Sequence, residues 1–274
     1  MQFQNIVFPV DFSDRSRAAA PFIHSMARRY GAAVHLIHVV PPFPPLNFDV
    51  GSAYSEAFDP APAAAAANAT LLEFAAEQFP HIETRCSMLD AEPAKAILEY
   101  TADNQGDLIA MPTHGYGLFR RTLLGSVTSQ VLRDSPVPVW TDAHCCDPFH
   151  RAHPQPRTVV AAVRSAYDRA DDDERTFRIA LDIARDAGAV VVTLKVPEHA
   201  GNALARSAAS GGLMVDEDEG NDESIEAMVR RAAVTQRADL VVIGRGPVHA
   251  GILDRIRSHA YAVICQSPCP VLSV

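Results

Sequence analysis

The chain has no run of about 18 uninterrupted apolar residues, so the sequence offers no membrane-spanning segment. It also lacks the marks of a secretory signal. Met1–Asn5 carries no Lys or Arg, and the apolar run Ile6–Val10 is too short for a signal core. Cysteine is sparse and odd in number, five in all, which fits reduced thiols better than a disulfide framework. These absences predict a cytoplasmic protein. An excess of positive charge is missing too. The formal net charge is −9; 9 basic and 16 acidic residues precede position 150, and 15 and 17 follow it. Neither part supplies the basic face of a non-specific nucleic-acid binder. What is present is apolar: 48% hydrophobic residues against 21% charged, enough for two separate cores.

Short apolar runs alternate with amphipathic stretches along the first half. Ile6–Val10, Ala33–Val40, Ile82–Leu89, Asp107–Met111 and Val137–Thr141 read as strands. Asp14–Tyr30 reads as a helix capped by Ser13 and ended by Gly31. Ala63–Gln78, Pro93–Asn104 and Gly125–Asp134 read as further helices, and Pro41–Pro62 as a Pro-rich loop. Strands separated by helices imply a parallel sheet covered on both faces.

The second half repeats this plan. Asp107-Leu-Ile-Ala-Met matches Asp239-Leu-Val-Val-Ile, and Ser135-Pro-Val-Pro-Val matches Ser267-Pro-Cys-Pro-Val, both at an offset of 132. Ile6-Val-Phe-Pro-Val matches Val159-Val-Ala-Ala-Val at an offset of 153, so the second copy is 21 residues shorter in between. The loss falls where the first half has its Pro-rich loop and Ala-rich helix; the acidic stretch Asp216–Glu223 lies there and is expected to be solvated. The linker centres on Cys146–Pro156, with Pro148, Pro154 and Pro156. Two tandem domains are expected, residues 1–145 and 155–274.

One segment carries chemistry: Met111-Pro-Thr-His-Gly-Tyr-Gly-Leu-Phe-Arg-Arg-Thr-Leu-Leu-Gly-Ser-Val-Thr, between a strand and a helix. Gly115 and Gly125 let the backbone approach an anion, and the helix opening at Gly125–Ser126 points free N–H groups and its positive dipole end the same way. Ser126 and Thr128 add hydroxyls. The segment reads either as a phosphate cradle or as a glycine-capped loop. It has neither the Gly-Lys-Ser/Thr of a P-loop nor a dinucleotide fingerprint. Asp11, directly after the first strand, reads either as a ribose acceptor or as a helix-capping residue.

Pro9-Val-Asp-Phe-Ser, His38-Val39 at the end of the second strand, and Gly115-x9-Gly125-Ser126 together resemble the ATP-binding class of universal stress proteins. The resemblance covers nearly the whole chain. It implies a five-stranded parallel sheet of order 3-2-1-4-5 in each half, with helices on both faces, and an adenine nucleotide, ATP with or without Mg²⁺. It assigns Pro9, Val10 and Asp11 to the adenine–ribose side and Val39 to the adenine. Met111, Pro112, Gly115, Gly125, Ser126, Val127 and Thr128 go to the phosphates, with His114 in the same loop. One departure stands out. The family pattern has glycine where this chain has Pro112, which offers no N–H.

The second half departs further. Arg164 stands for Asp11, Pro247 for Gly115 and Arg257 for Gly125; only Gly244 and Ser258 fit the pattern. This half reads as a degenerate domain kept for pairing, or as a site for another anion built from Arg164, Arg245 and Arg257. Each half ends on an apolar strand, Val137–Thr141 and Cys269–Val274. These two edges are expected to pair within the chain across a pseudo-two-fold axis, with Trp140 near the contact, and two chains to associate through another surface as a homodimer. The linker run His144–His153 concentrates Cys, His and Asp, but its spacing fits no standard zinc site, so no protein-bound metal is expected. No Ser/His/Asp triad or carboxylate pair is placed for catalysis. The expected function is nucleotide binding without nucleic-acid or membrane partners; the alternatives are a nucleotide-hydrolysing or adenylating enzyme and a ligand-free interaction module.

Overall fold

The computed structural model describes residues 3–41, 61–113, 124–142, 155–164, 170–196, 202–207, 213–218, 224–244 and 253–274. The first half runs β1 (Asn5–Pro9), α1 (Asp14–Tyr30), β2 (Ala33–Val40), α2 (Ala61–Gln78), β3 (Thr84–Asp90), α3 (Pro93–Asp103), β4 (Leu108–Pro112), α4 (Ser126–Asp134) and β5 (Val139–Asp142). Every expected element of this half is present, with ends displaced by no more than two residues. Local chemistry sets those ends. Ser13 Oγ accepts the Ser16 N–H at 3.3 Å to start α1, and Gly31 ends it in the left-handed region at φ 64°, where a Cβ is costly. Pro93 sits in the first turn of α3, and the Glu92 carboxylate takes the Ala94 and Lys95 N–H groups at 3.2 and 2.8 Å.

The second half runs β6 (Thr158–Arg164), α5 (Ala170–Ala187), β7 (Val190–Val196), β8 (Asn202–Ser207), β9 (Leu213–Asp218), α6 (Ile225–Thr235), β10 (Leu240–Ile243), α7 (Leu253–Gln266) and β11 (Val271–Ser273). All eleven strands form one sheet in the order β3-β2-β1-β4-β5-β11-β10-β6-β7-β8-β9. The fold is α/β, and the first half has the expected parallel order 3-2-1-4-5.

The pairing registers coincide in the two copies. Ile6 sits beside Leu108 in the first and Val159 beside Leu240 in the second; Ile109 beside Val139 answers to Val241 beside Val271. Asn5 beside Ala33 answers to Thr158 beside Val190. Even the fasteners recur. The Asp107 carboxylate takes the Gln4 and Asn5 N–H groups at 2.6 and 3.2 Å, and Asp239 Oδ2 takes those of Arg157 and Thr158 at 2.8 and 3.0 Å.

The second half corrects the expectation of a five-stranded parallel sheet in both copies. Beside β7 lies β8, antiparallel, and β9 is antiparallel to β8. The physical reason is connection length. Parallel neighbours need a crossover of about a dozen residues or more, and α2 lies on that crossover in the first half. The second half is shorter here, and an antiparallel ribbon needs only tight connections. Asp216–Asp218, expected as part of a solvated acidic stretch, therefore belong to β9.

Successive strand residues point to opposite faces and build two cores. Ile6, Phe8, Trp140, Val159, Ala161 and Leu272 face α1, α2 and α5; Val7, Ile109, Val139, Val160, Val241 and Val271 face α3, α4, α6 and α7. Each core holds residues of both halves. A fully buried side chain such as Phe8 contributes about 1.5–3 kcal/mol by leaving water. The halves meet where β5 and β11 pair antiparallel, Val139 beside Ser273, Trp140 beside Leu272 and Thr141 beside Val271, as the sequence reading expected of the two last strands. Thr141 Oγ1 donates to the Val271 carbonyl at 3.2 Å, and Phe22 packs on Trp140 at 5.8 Å between ring centres.

Candidate functional site

β1 and β4 are parallel neighbours, but β1 leads to β2 on one side and β4 leads to β5 on the other. Strand order turns at this point, and a doubly wound sheet opens a crevice there beyond the carboxyl ends of its strands. Pro9, Val10 and Asp11 leave β1 at the crevice, and Met111, Pro112 and Thr113 leave β4 beside them. The backbone then pins α4 to the same place: the Gly125 N–H donates to the Thr113 carbonyl at 2.9 Å.

Among the described residues, α4 starts without a side-chain cap, its N-cap being Gly125. The N–H groups of Ser126, Val127 and Thr128 form its first turn, with the positive end of the helix dipole behind them. Ser126 is exposed and Val127 half-buried. Thr128 departs from the sequence reading in one respect. Its hydroxyl is buried and donates to the Pro112 carbonyl at 3.3 Å, so it holds α4 against β4 and leaves only its backbone N–H for an anion. His114 and Gly115 lie outside the described residues.

Asp11 performs the capping role that the sequence left open. Its Oδ1 accepts the Ser13 N–H at 3.0 Å and the Ser16 hydroxyl at 2.6 Å, while Oδ2 has no hydrogen bond among the described residues. One oxygen orders the start of α1; the other can serve as an acceptor. On the β2 side, His38 Nδ1 lies 2.7 Å from the Val10 carbonyl, and Val39 is half-buried next to it. The Phe12 ring stacks on His38 at 4.6 Å with φ at 60°, a left-handed backbone that costs a bulky residue ~1–3 kcal/mol. Phe12 was not singled out from the sequence, since a positive φ at a non-glycine residue has no local signature.

The second half reaches into this region. Tyr261, on α7, donates its hydroxyl to the Ser129 carbonyl of α4 at 2.7 Å. One turn further along α7, burial raises the Cys265 thiol, and the Leu124 N–H, next to Gly125, opposes that rise. Neither contact was visible in the sequence, because each joins residues more than 130 positions apart.

In the second half, Gly244 stands where Pro112 stands in the first. A Cβ there would come within 2.9 Å of Thr176 Oγ1, so close packing against α5 already accounts for the glycine. Arg245 and Pro247 lie outside the described residues, as do the side chains of Arg164, Arg257 and Ser258. The same holds for the linker run His144–His153. Among the described residues no three His, Cys, Asp or Glu side chains group as metal ligands, and Cys86, Cys265 and Cys269 are free thiols. No helix among them is long and apolar enough to cross a membrane.

The turn in strand order between β1 and β4, with helices on both faces of the sheet, defines a doubly wound α/β protein. The sequence profile of the universal stress protein family matches residues 2–141, half of the chain. The chain belongs to that family. A universal stress protein of Methanocaldococcus jannaschii is 28% identical over 137 residues, 50% of this chain and 80% of that protein. One from Thermus aquaticus is also 28% identical over 137 residues, 96% of its length. The fold of the whole chain has a structural likeness as well. The crystal structure of a universal stress protein from Archaeoglobus fulgidus superposes with a TM-score of 0.66 at 19% identity, covering 99% of this chain and 96% of that one.

Proposed function

We propose that residues 1–145 form a domain that binds ATP or a related adenine nucleotide, and that residues 155–274 form a degenerate sister domain serving pairing. The observation that carries this is the uncapped first turn of α4, tied by Gly125 to the end of β4 beside Asp11. The amides of Ser126, Val127 and Thr128 would meet the phosphates, assisted by His114 and Gly115. Asp11 Oδ2 would accept a ribose hydroxyl, and Pro9, Val10 and Val39 would flank the base. Met111 and Pro112 would wall the cleft, with Pro112 withholding one backbone donor and so lowering affinity. The second half offers Arg257 where the backbone must approach a phosphate, and its retained Gly244 has a packing reason. The protein acts in the cytoplasm as a nucleotide-dependent stress protein. The nucleotide serves as ligand or switch, with or without Mg²⁺, and two chains join as a homodimer.

Native mass spectrometry of freshly purified protein, followed by calorimetry with ATP with and without Mg²⁺, tests the reading. One nucleotide per chain, lost in Gly125→Arg, is the expected outcome. Two per chain would end the degenerate-domain reading, and none would leave an interaction module. Sustained phosphate release with Mg²⁺ would turn the assignment to a hydrolysing enzyme.

A further inference from the structure

Among the described residues, four other than glycine hold a positive φ: Phe12, His81, Gln105 and Arg237. His81, Gln105 and Arg237 lie where the chain leaves α2, α3 and α6, the usual place for a left-handed residue. Phe12 has no such reason. It follows a strand and precedes the Ser13 cap, and a bulky side chain at φ 60° persists only where its surroundings hold it. Two rings do so. Phe12 stacks on His38 at 4.6 Å, with 27° between the planes, and meets Phe74 of α2 edge-on at 6.3 Å.

His38 in turn is fastened to β1. A carbonyl oxygen only accepts, so His38 Nδ1 donates to the Val10 carbonyl at 2.7 Å. The Val10 N–H donates to the Ile37 carbonyl at 2.9 Å. Val10 is thus tied to β2 through both of its backbone polar groups, one residue before Asp11, and His38 stands one residue before Val39. The fastening of α4 is separate: Gly125 N–H and the Thr128 hydroxyl bind the end of β4. The second half has no such knot. Lys195, exposed and beside Val163, takes the place of His38, and Ser165 follows Arg164 where Phe12 follows Asp11. On the nucleotide reading above, we propose that Phe12 and His38 are positioning residues for the nucleoside end of the crevice. They set the spacing between the Asp11 carboxylate and Val39, and with it the affinity for ribose and base, while the phosphates are held independently by α4.

The test uses the full chain and two probes, ATP and inorganic tripolyphosphate, each titrated by calorimetry. His38→Ala leaves the Val10 carbonyl without this donor and takes away the ring against Phe12. It should weaken ATP about tenfold and change tripolyphosphate by less than about twofold. His38→Asn, whose amide nitrogen can donate from the place of Nδ1, should recover most of the loss. Phe12→Asn keeps a residue that tolerates a positive φ and removes the stack, and it should show the same split. Should His38→Ala fail to fold, Phe12→Asn decides alone. Equal losses for the two probes would make the pair a prop of the fold in general and overturn the proposal. So would undiminished ATP binding by either variant, or an unaltered chain that binds tripolyphosphate as tightly as ATP, or ATP but no tripolyphosphate. An unaltered chain that binds neither probe would instead end the nucleotide reading, and this proposal with it.

Discussion

The two halves share their strand registers residue for residue through β1, β4 and β5 and their counterparts β6, β10 and β11, yet they differ in the connections around the crevice. The first has a crossover helix, a third parallel strand and Gly125 at the start of α4. The second has an antiparallel ribbon and Arg257. The central strands thus need nothing from the residues of the crevice. They are fixed by apolar packing on both faces and by the Asp107 and Asp239 fasteners, which recur in both halves. What differs lies in the connections, where the sheet imposes little.

Gly125→Arg breaks the comparison most severely, because it gives the first half the residue of the second. ATP binding should fall below detection. The thermal stabilisation by saturating ATP, about 2.7 kcal/mol at a hundredfold excess over Kd, should vanish with it. A residual ATP-dependent rise in Tm would locate a site in the second half. Leu272→Asp asks whether the halves are separate bodies. Leu272 is 2% exposed opposite Trp140, and a carboxylate there should cost roughly 3–5 kcal/mol. Calorimetry should show one transition moved downward as a unit; a first-half transition left in place would mean that the halves unfold independently. Tyr261→Phe removes the bond to the Ser129 carbonyl, about 1 kcal/mol. A small loss of ATP affinity alongside it would show that the second half steadies α4.

His35 gives the smallest effect and a sign specific to the first half. Buried between the Tyr100 hydroxyl and the Asn5 side chain, both at 3.2 Å, its ring is lowered below the ordinary histidine value by desolvation and by Arg85. Folding favours the neutral ring, so the unfolded chain binds the proton more readily. The stabilisation is present above the ordinary histidine range and is lost as pH falls through it. Val192 takes the equivalent place in β7, being paired with Val160 as His35 is with Val7. Denaturant titrations from pH 8 to pH 5 should lose that slope in His35→Gln, whereas Val192→Ala should leave it unchanged.

Much of this was legible before any coordinates. The period of the apolar runs placed every element of the first half, and the offsets 132 and 153 carried over into matching registers. The seam followed from two apolar last strands in one chain. The direction of β8 was not legible, since an apolar run pairs equally well either way and the length of the connection decides. At the site, residue types indicated the crevice but not which atoms are occupied. Asp11 spends one carboxylate oxygen on the start of α1, and the Thr128 hydroxyl turns inward, because both depend on where α1 and α4 come to rest.

The antiparallel contact of Trp140 with Leu272 has a consequence beyond stability. When two identical chains meet on an axis, every substitution at the contact is made twice and the association weakens on dilution. Here one polypeptide supplies both sides, and a short tether keeps them at an effective concentration in the millimolar range however scarce the protein becomes. A change on one side is made once. Arg257 and Gly125 can therefore stand at equivalent places of one chain, which two identical chains on an axis could not hold.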